Sequence, residues 1–220
     1  MIPEAENIFK DKAFRYLIFM VAAVLLLSSP LLLIDKELPT LWINQYHTAF
    51  LDHLFYYFTY LGDGLILIPV VIFLLFKRYV WAGLFTFFTI FEAVLVQLVL
   101  KKWLFAHIER PASYIPHFDS LHQVAGVNIH HLHSFPSGHT QTIFMIIIFI
   151  ALASRKNVYL NSFLILIAVF TALSRVYLLQ HFFVDIWFGA LIGFSLPVIG
   201  IYWLQKTGKF PQNQKRLSFK

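Results

Sequence analysis

Hydrophobic side chains fill six long blocks of this chain, at about residues 14–34, 57–76, 79–100, 139–155, 158–177 and 182–204, with polar or basic segments between them. An α-helix rises about 1.5 Å per residue and the hydrocarbon core of a bilayer is about 30 Å thick, so roughly 20 apolar residues make one crossing. The blocks therefore predict six transmembrane helices. The loops between them leave no room for a second domain, and the expected fold is all-α, a single six-helix membrane bundle over residues 1–220. The fourth block is short and opens at His139, so either its outer end is polar by design or it is not a full span. The first block is too long for the apolar core of a signal peptide, and no small-x-small cleavage pattern comes before Asp35-Lys36-Glu37. It reads as a retained span.

Two connections carry patterns of their own. Over residues 35–56, Leu41, Trp42, Tyr46, Phe50 and Leu54 recur at helical spacing, with Asn44, Gln45, His47 and Asp52 between them. That pattern predicts a short helix lying at headgroup depth; a plain extension of the second span is the alternative. The only long loop, 103–138, is rich in histidine and holds Pro111, Pro116 and Pro136. Long loops in compact folds are commonly functional.

Composition sharpens the class. The chain is 59% apolar and only 13% charged, which excludes an ordinary soluble domain. Cysteine is absent, so neither a disulfide nor a thiolate metal site is available. The net charge of +6 is dispersed over loop ends, which argues for topology signals and against a nucleic-acid partner. Cytoplasmic loops concentrate Lys and Arg. With the N-terminus inside, the inner segments hold Lys10, Lys12, Arg15, Lys77, Arg78, Arg155, Lys156, Lys206, Lys209, Lys215, Arg216 and Lys220, twelve of the seventeen; Lys36, Lys101, Lys102, Arg110 and Arg175 are the other five. Every histidine also falls outside, so both termini are expected in the cytoplasm. Several of the five tryptophans lie near span ends, as in an aromatic belt.

The candidate chemistry sits at the outer ends of the blocks. Pro136-Ser137-Gly138-His139-Thr140 opens the fourth, Ser174-Arg175 closes the fifth, and His181-x-x-x-Asp185 opens the sixth. Ser137 and Gly138 come just before a helix, whose unsatisfied N–H groups and positive dipole end favour an anion. Glycine lets the backbone approach closely. Arg110 and Arg175 can make planar two-point contacts to phosphate oxygens. His181 and Asp185, four apart, share a helix face, where the carboxylate fixes the tautomer and leaves the second ring nitrogen free to attack. These types suit phosphate ester cleavage, which needs anion neutralisation, a nucleophile and an acid.

Taken together, Arg110-Pro111, Pro136-Ser137-Gly138-His139 and Ser174-Arg175-x5-His181-x3-Asp185 resemble the three-part signature of the type 2 phosphatidic acid phosphatase superfamily. The motif core covers about residues 101–185. The resemblance implies a lipid phosphatase with His181 as nucleophile, forming a phosphohistidine, Asp185 orienting it and His139 as general acid. Arg110, Ser137, Gly138, Arg175 and an upstream lysine would hold the phosphate, with no metal and no cofactor. The family's first element is Lys, six residues, then Arg-Pro. Here seven residues separate Lys102 from Arg110. Lys102 is the expected match and Lys101 the runner-up.

A site at the membrane surface between apolar helices is reached laterally by an anchored headgroup, so the expected partners are the lipid bilayer and a lipid phosphate or diphosphate. The family's substrates include phosphatidic acid, phosphatidylglycerol phosphate, undecaprenyl diphosphate and lipid A phosphates. The absence of Asn-x-Ser/Thr, the small size and the compact loops lean to a bacterial inner membrane with a periplasmic site. Phosphate transfer from the histidine to a second lipid is the nearest alternative, and a non-catalytic transporter or scaffold is the alternative of another class. The tract His130-His131-x-His133 looks metal-binding, but the expected mechanism needs no metal, and it reads as solvated loop, with a headgroup contact as the alternative. Glu92 and Asp63 lie within spans, in the outer half, where acids are costly and are either functional or simply paired.

Overall fold

The computed structural model describes residues 8–154 and 157–210, and among these the regular structure is entirely helical. Helix α1 (Lys12–Ser28) begins where Asp11 accepts a hydrogen bond from the Phe14 N–H, and it runs on through a 3-10 turn to Leu32. Next come α2 (Leu38–Gln45), α3 (Ala49–Phe58), α4 (Leu67–Lys77) and α5 (Tyr79–Ala93), which continues as a π-helix over Val94–Leu104. The short α6 (Pro111–Tyr114) lies within the long loop. Helices α7 (Gly138–Ala153), α8 (Val158–Tyr177) and α9 (Phe183–Lys206) complete the chain. Of the basic residues assigned inside, Arg155, Lys156, Lys215, Arg216 and Lys220 lie outside the described residues.

Length and composition qualify four helices as spans: Lys12–Leu32, Tyr79–Leu104, Val158–Tyr177 and Phe183–Lys206. A fifth arises if the pair Ala49–Gly62 and Gly64–Lys77, bent by 57°, is one broken span. The remaining predicted block is α7, whose 16 residues are shorter than a crossing. Its run from Ile143 to Phe149 is buried all round, the mark of a helix enclosed by protein on every side. Helices α4, α5, α8 and α9 pack around it. The seam with α9 is narrow: a Cβ at Gly189 would stand 2.6 Å from the Ser137 carbonyl oxygen. That contact fixes the start of α7 against the start of α9.

Residues 35–56 differ from the single surface helix expected. They form α2 and α3, separated at Tyr46–Thr48, with Thr48 capping α3 and α3 entering the broken span. Both helices anchor the long loop. Asn44 Nδ2 donates to the His122 carbonyl while the His122 N–H returns a bond to Asn44 Oδ1. Asp52 accepts from the His122 ring and from the Tyr177 hydroxyl, and the His47 ring stacks on His122 at 4.0 Å. The loop is thereby buckled to α2, α3 and α8.

Candidate active site

The end of α5 and its π-helical continuation, the start of α7, the end of α8, the turn that leads into α9, the start of α4 and the long loop line a cavity of about 340 Å³. Lys101, Arg110, Gly138, His139, Arg175 and His181 line it, together with His130 and Gln97. Three cations thus converge on one space. Arg110 is built in by backbone: Nε donates to the Leu132 carbonyl and Nη1 to the Gln180 carbonyl, each at 2.9 Å. Arg175 is buried, its Nη1 donates to the Thr59 hydroxyl, and its Nε has no hydrogen-bond partner.

His181 is 1% exposed, in the turn between α8 and α9, where its N–H and that of Gln180 both donate to the Arg175 carbonyl. Arg110 Nη1 stands 3.5 Å from its Nε2. A guanidinium only donates, so Nε2 is the acceptor and the ring proton belongs on Nδ1. Nδ1 in turn faces Asp185 Oδ2 at 3.4 Å. That oxygen also accepts from the Phe182 N–H at 2.9 Å and from the Ser134 hydroxyl. Burial, with the charges of Arg110, Arg175 and Lys101 next and His139 behind them, holds the His181 pKa well below the ordinary histidine value. Burial and the same cations lower that of His130.

The remaining expected residues divide. Gly138 and His139, in the first turn of α7, line the cavity, and a side chain at 138 would meet the Gln97 amide at 2.7 Å. Ser137 is fully buried and outside the lining: its hydroxyl caps α7 by accepting from Thr140 N–H, and its N–H donates to the Asp185 carbonyl. Asp185 lies behind His181 and does not face the cavity. Lys102, expected at the site from the spacing, is exposed and outside the lining, whereas Lys101 is 7% exposed and faces in. The π-helix accounts for this. Phe105 N–H bonds the carbonyl of Leu100, five residues back, so the turn is wider than an α-turn. Gln97 and Lys101 consequently keep to the cavity face begun by Thr89 and Ala93 of α5, each four residues from the next, and Lys102 is turned away.

Ser134, Thr59 and Gln97 were not apparent from the sequence. A signal existed for one of them: Thr89, Gln97 and Lys101, eight and four residues apart, form a polar line along the third apolar block and just past its end. Glu92, fully buried, accepts from the Gln141 amide at 2.6 Å. The histidine tract diverges: His130 lines the cavity, His131 pairs with the Ser113 hydroxyl and His133 with the Lys101 carbonyl. Among the described residues no group of three or more His, Asp or Glu is placed to hold a metal ion.

Residues 80–209, a stretch that takes in Lys101, Arg110, His139, Arg175, His181 and Asp185, match the PAP2 superfamily. The chain belongs to that superfamily. Among solved structures, this PAP2 protein is similar to LpxE of Aquifex aeolicus, at 29% identity over 76% of this chain and 94% of that one, with a TM-score of 0.65. It shares its fold with the first transmembrane PAP2-type phosphatidylglycerolphosphate phosphatase from Bacillus subtilis, at 24% identity over 90% of this chain and 97% of that one, with a TM-score of 0.61. No curated protein matches the sequence. Superfamily membership and its apolar helices make the chain an integral membrane phosphoric monoester hydrolase.

Proposed function

We propose that this PAP2 enzyme hydrolyses a lipid phosphate or lipid diphosphate through a phosphohistidine on His181, without a metal. The arrangement around His181 carries the reading: Nδ1 faces Asp185, Arg110 sits beside Nε2, and the ring closes a cavity lined by three cations. In the first step Nε2 attacks phosphorus, the bond to the leaving oxygen breaks, and His139 gives that oxygen a proton. In the second, water attacks phosphorus, His139 takes the water proton, and the N–P bond breaks to release phosphate and free His181. Lys101, Arg110 and Arg175 neutralise the phosphoryl oxygens, aided by the first-turn N–H groups of α7. In this reading Lys101 takes the place expected for Lys102, and Ser137 acts by capping α7.

The surrounding helices are apolar and the expected location is a bacterial inner membrane, with both termini cytoplasmic and the site periplasmic. The substrate panel is therefore phosphatidic acid, phosphatidylglycerol phosphate, undecaprenyl diphosphate and lipid A phosphate. Purified protein in detergent and EDTA, given each lipid with no second acceptor, should release free inorganic phosphate from at least one. His181→Ala should lower that rate by several orders of magnitude, as removal of a nucleophile does elsewhere. Activity within about tenfold of wild type would sink the mechanism, and label that stays in lipid would mark a phosphotransferase.

A further inference from the structure

The second apolar block breaks where it reaches the cavity, and the break lies outside the residues that match the superfamily. Three of its residues are turned on the site. The Thr59 hydroxyl accepts from Arg175. Gly62 packs on the backbone of His139 so closely that a Cβ would stand 2.5 Å from the His139 carbonyl oxygen, so only glycine fits. Asp63 lies between Gly62 and Gly64, both in the cavity lining, and places Oδ2 3.8 Å from Nε2 of His139. Its other oxygen accepts from the Leu65 N–H.

The charges around His139 give that carboxylate a task. Lys101, Arg110 and Arg175 line the same cavity, with His130 and His181 beside them. Each fixed cation opposes a further positive charge, and a protonated imidazole is one. Yet an acid must hold its proton until the leaving oxygen needs it. Asp185 is already engaged by Ser134, by the Phe182 N–H and by His181. Among the described residues, Asp63 is the carboxylate paired with the His139 ring.

We propose that Asp63 is a positioning residue for the reaction, its carboxylate keeping the His139 ring turned to the cavity and protonated for the leaving group. This rests on the reading of His139 as the acid. In that step the proton passes from the ring to the leaving oxygen as the P–O bond breaks, and the ring ends neutral beside Asp63.

The test compares a poor leaving group, a lipid or alkyl phosphate, with a good one, an aryl phosphate, on the full-length protein in detergent. Asp63→Asn keeps an acceptor for the Leu65 N–H and removes the charge; Asp63→Ser does the same with a different side chain, should one variant fold poorly. Either should cut kcat at least tenfold on the alkyl substrate and less than threefold on the aryl one. The alkaline limb of kcat on the alkyl substrate should move to lower pH. Asp63→Glu should restore part of the rate, and Asp63→Asn added to His139→Ala should cost nothing more. Equal losses on both substrates, or an unmoved alkaline limb, would overturn the role of Asp63 while His139→Ala still discriminates between leaving groups. If His139→Ala itself costs both substrates equally, the acid reading falls, and this inference with it.

Discussion

At the scale of single residues, His181 is held neutral by its surroundings, and that has a sign. Its folded pKa is depressed, so its contribution to stability is complete above the unfolded value near 6.5 and is lost as pH falls towards the folded one. The unfolded chain takes up the proton first. Comparing wild type with His181→Gln in thermal unfolding removes the background of the other histidines. The Tm difference in favour of wild type should shrink from pH 7 to pH 5; a flat or growing difference would mean that the ring keeps an ordinary pKa. The residues of this pocket were legible where chemistry is written in the side chain itself: Arg110, Arg175, His139 and His181 all line it. Ser134 was not, because a loop serine carries no sign of the buried carboxylate it meets 51 positions later. Ser137 was placed correctly at the helix start, yet the helix uses the hydroxyl for its own first turn.

At the scale of elements, the apolar blocks announce the helices, and two helices differ from their blocks in instructive ways. Block 139–155 reads as a short crossing or as less than a full one, because hydrophobicity reports only the absence of water, and protein neighbours satisfy it as well as lipid does. The helix α7 is enclosed by its neighbours and begins within the site. Block 79–100 ran on to Leu104 as a π-helix, which nothing in the composition of Val94–Leu104 distinguishes from an α-helix. Substitution separates the two lysines. Lys101→Ala should lower kcat/KM on the order of 10²-fold, the cost of removing one donor aimed at a developing negative charge. Lys102→Ala, exposed and turned away, should stay within about threefold. The reverse ranking would show that the wide turn does not set the inward lysine.

At the scale of the whole molecule, the charge pattern makes the proposed sidedness testable. Helix ends near Lys77-Arg78 and Lys206-Lys209 lie opposite the cavity end of the bundle, and on the proposed topology, drawn from the twelve-to-five division of basic residues, they would face the cytoplasm. Because cysteine is absent, single substitutions can be read without background. A cysteine at Ser120, exposed in the long loop, should react with a membrane-impermeant maleimide in intact cells. One at Lys209 should react only after the membrane is opened. Reversed labelling would move the cavity to the cytoplasm and remove substrates confined to the outer leaflet. This scale was the least legible: the buckle made by Asn44, Asp52, His122 and Tyr177 joins residues up to 125 positions apart, and none of them advertises its partner.

The wide turn at Val94–Leu104 has one more consequence. It lets the chain hold eight residues between Lys101 and Arg110, where the family pattern has six, and still bring both cations to one cavity. In this chain the two residues beyond the family interval are accommodated while Lys101 and Arg110 both still line the cavity. Motifs stated as fixed intervals are rulers laid along the thread; what is held constant here is the distance across the knot.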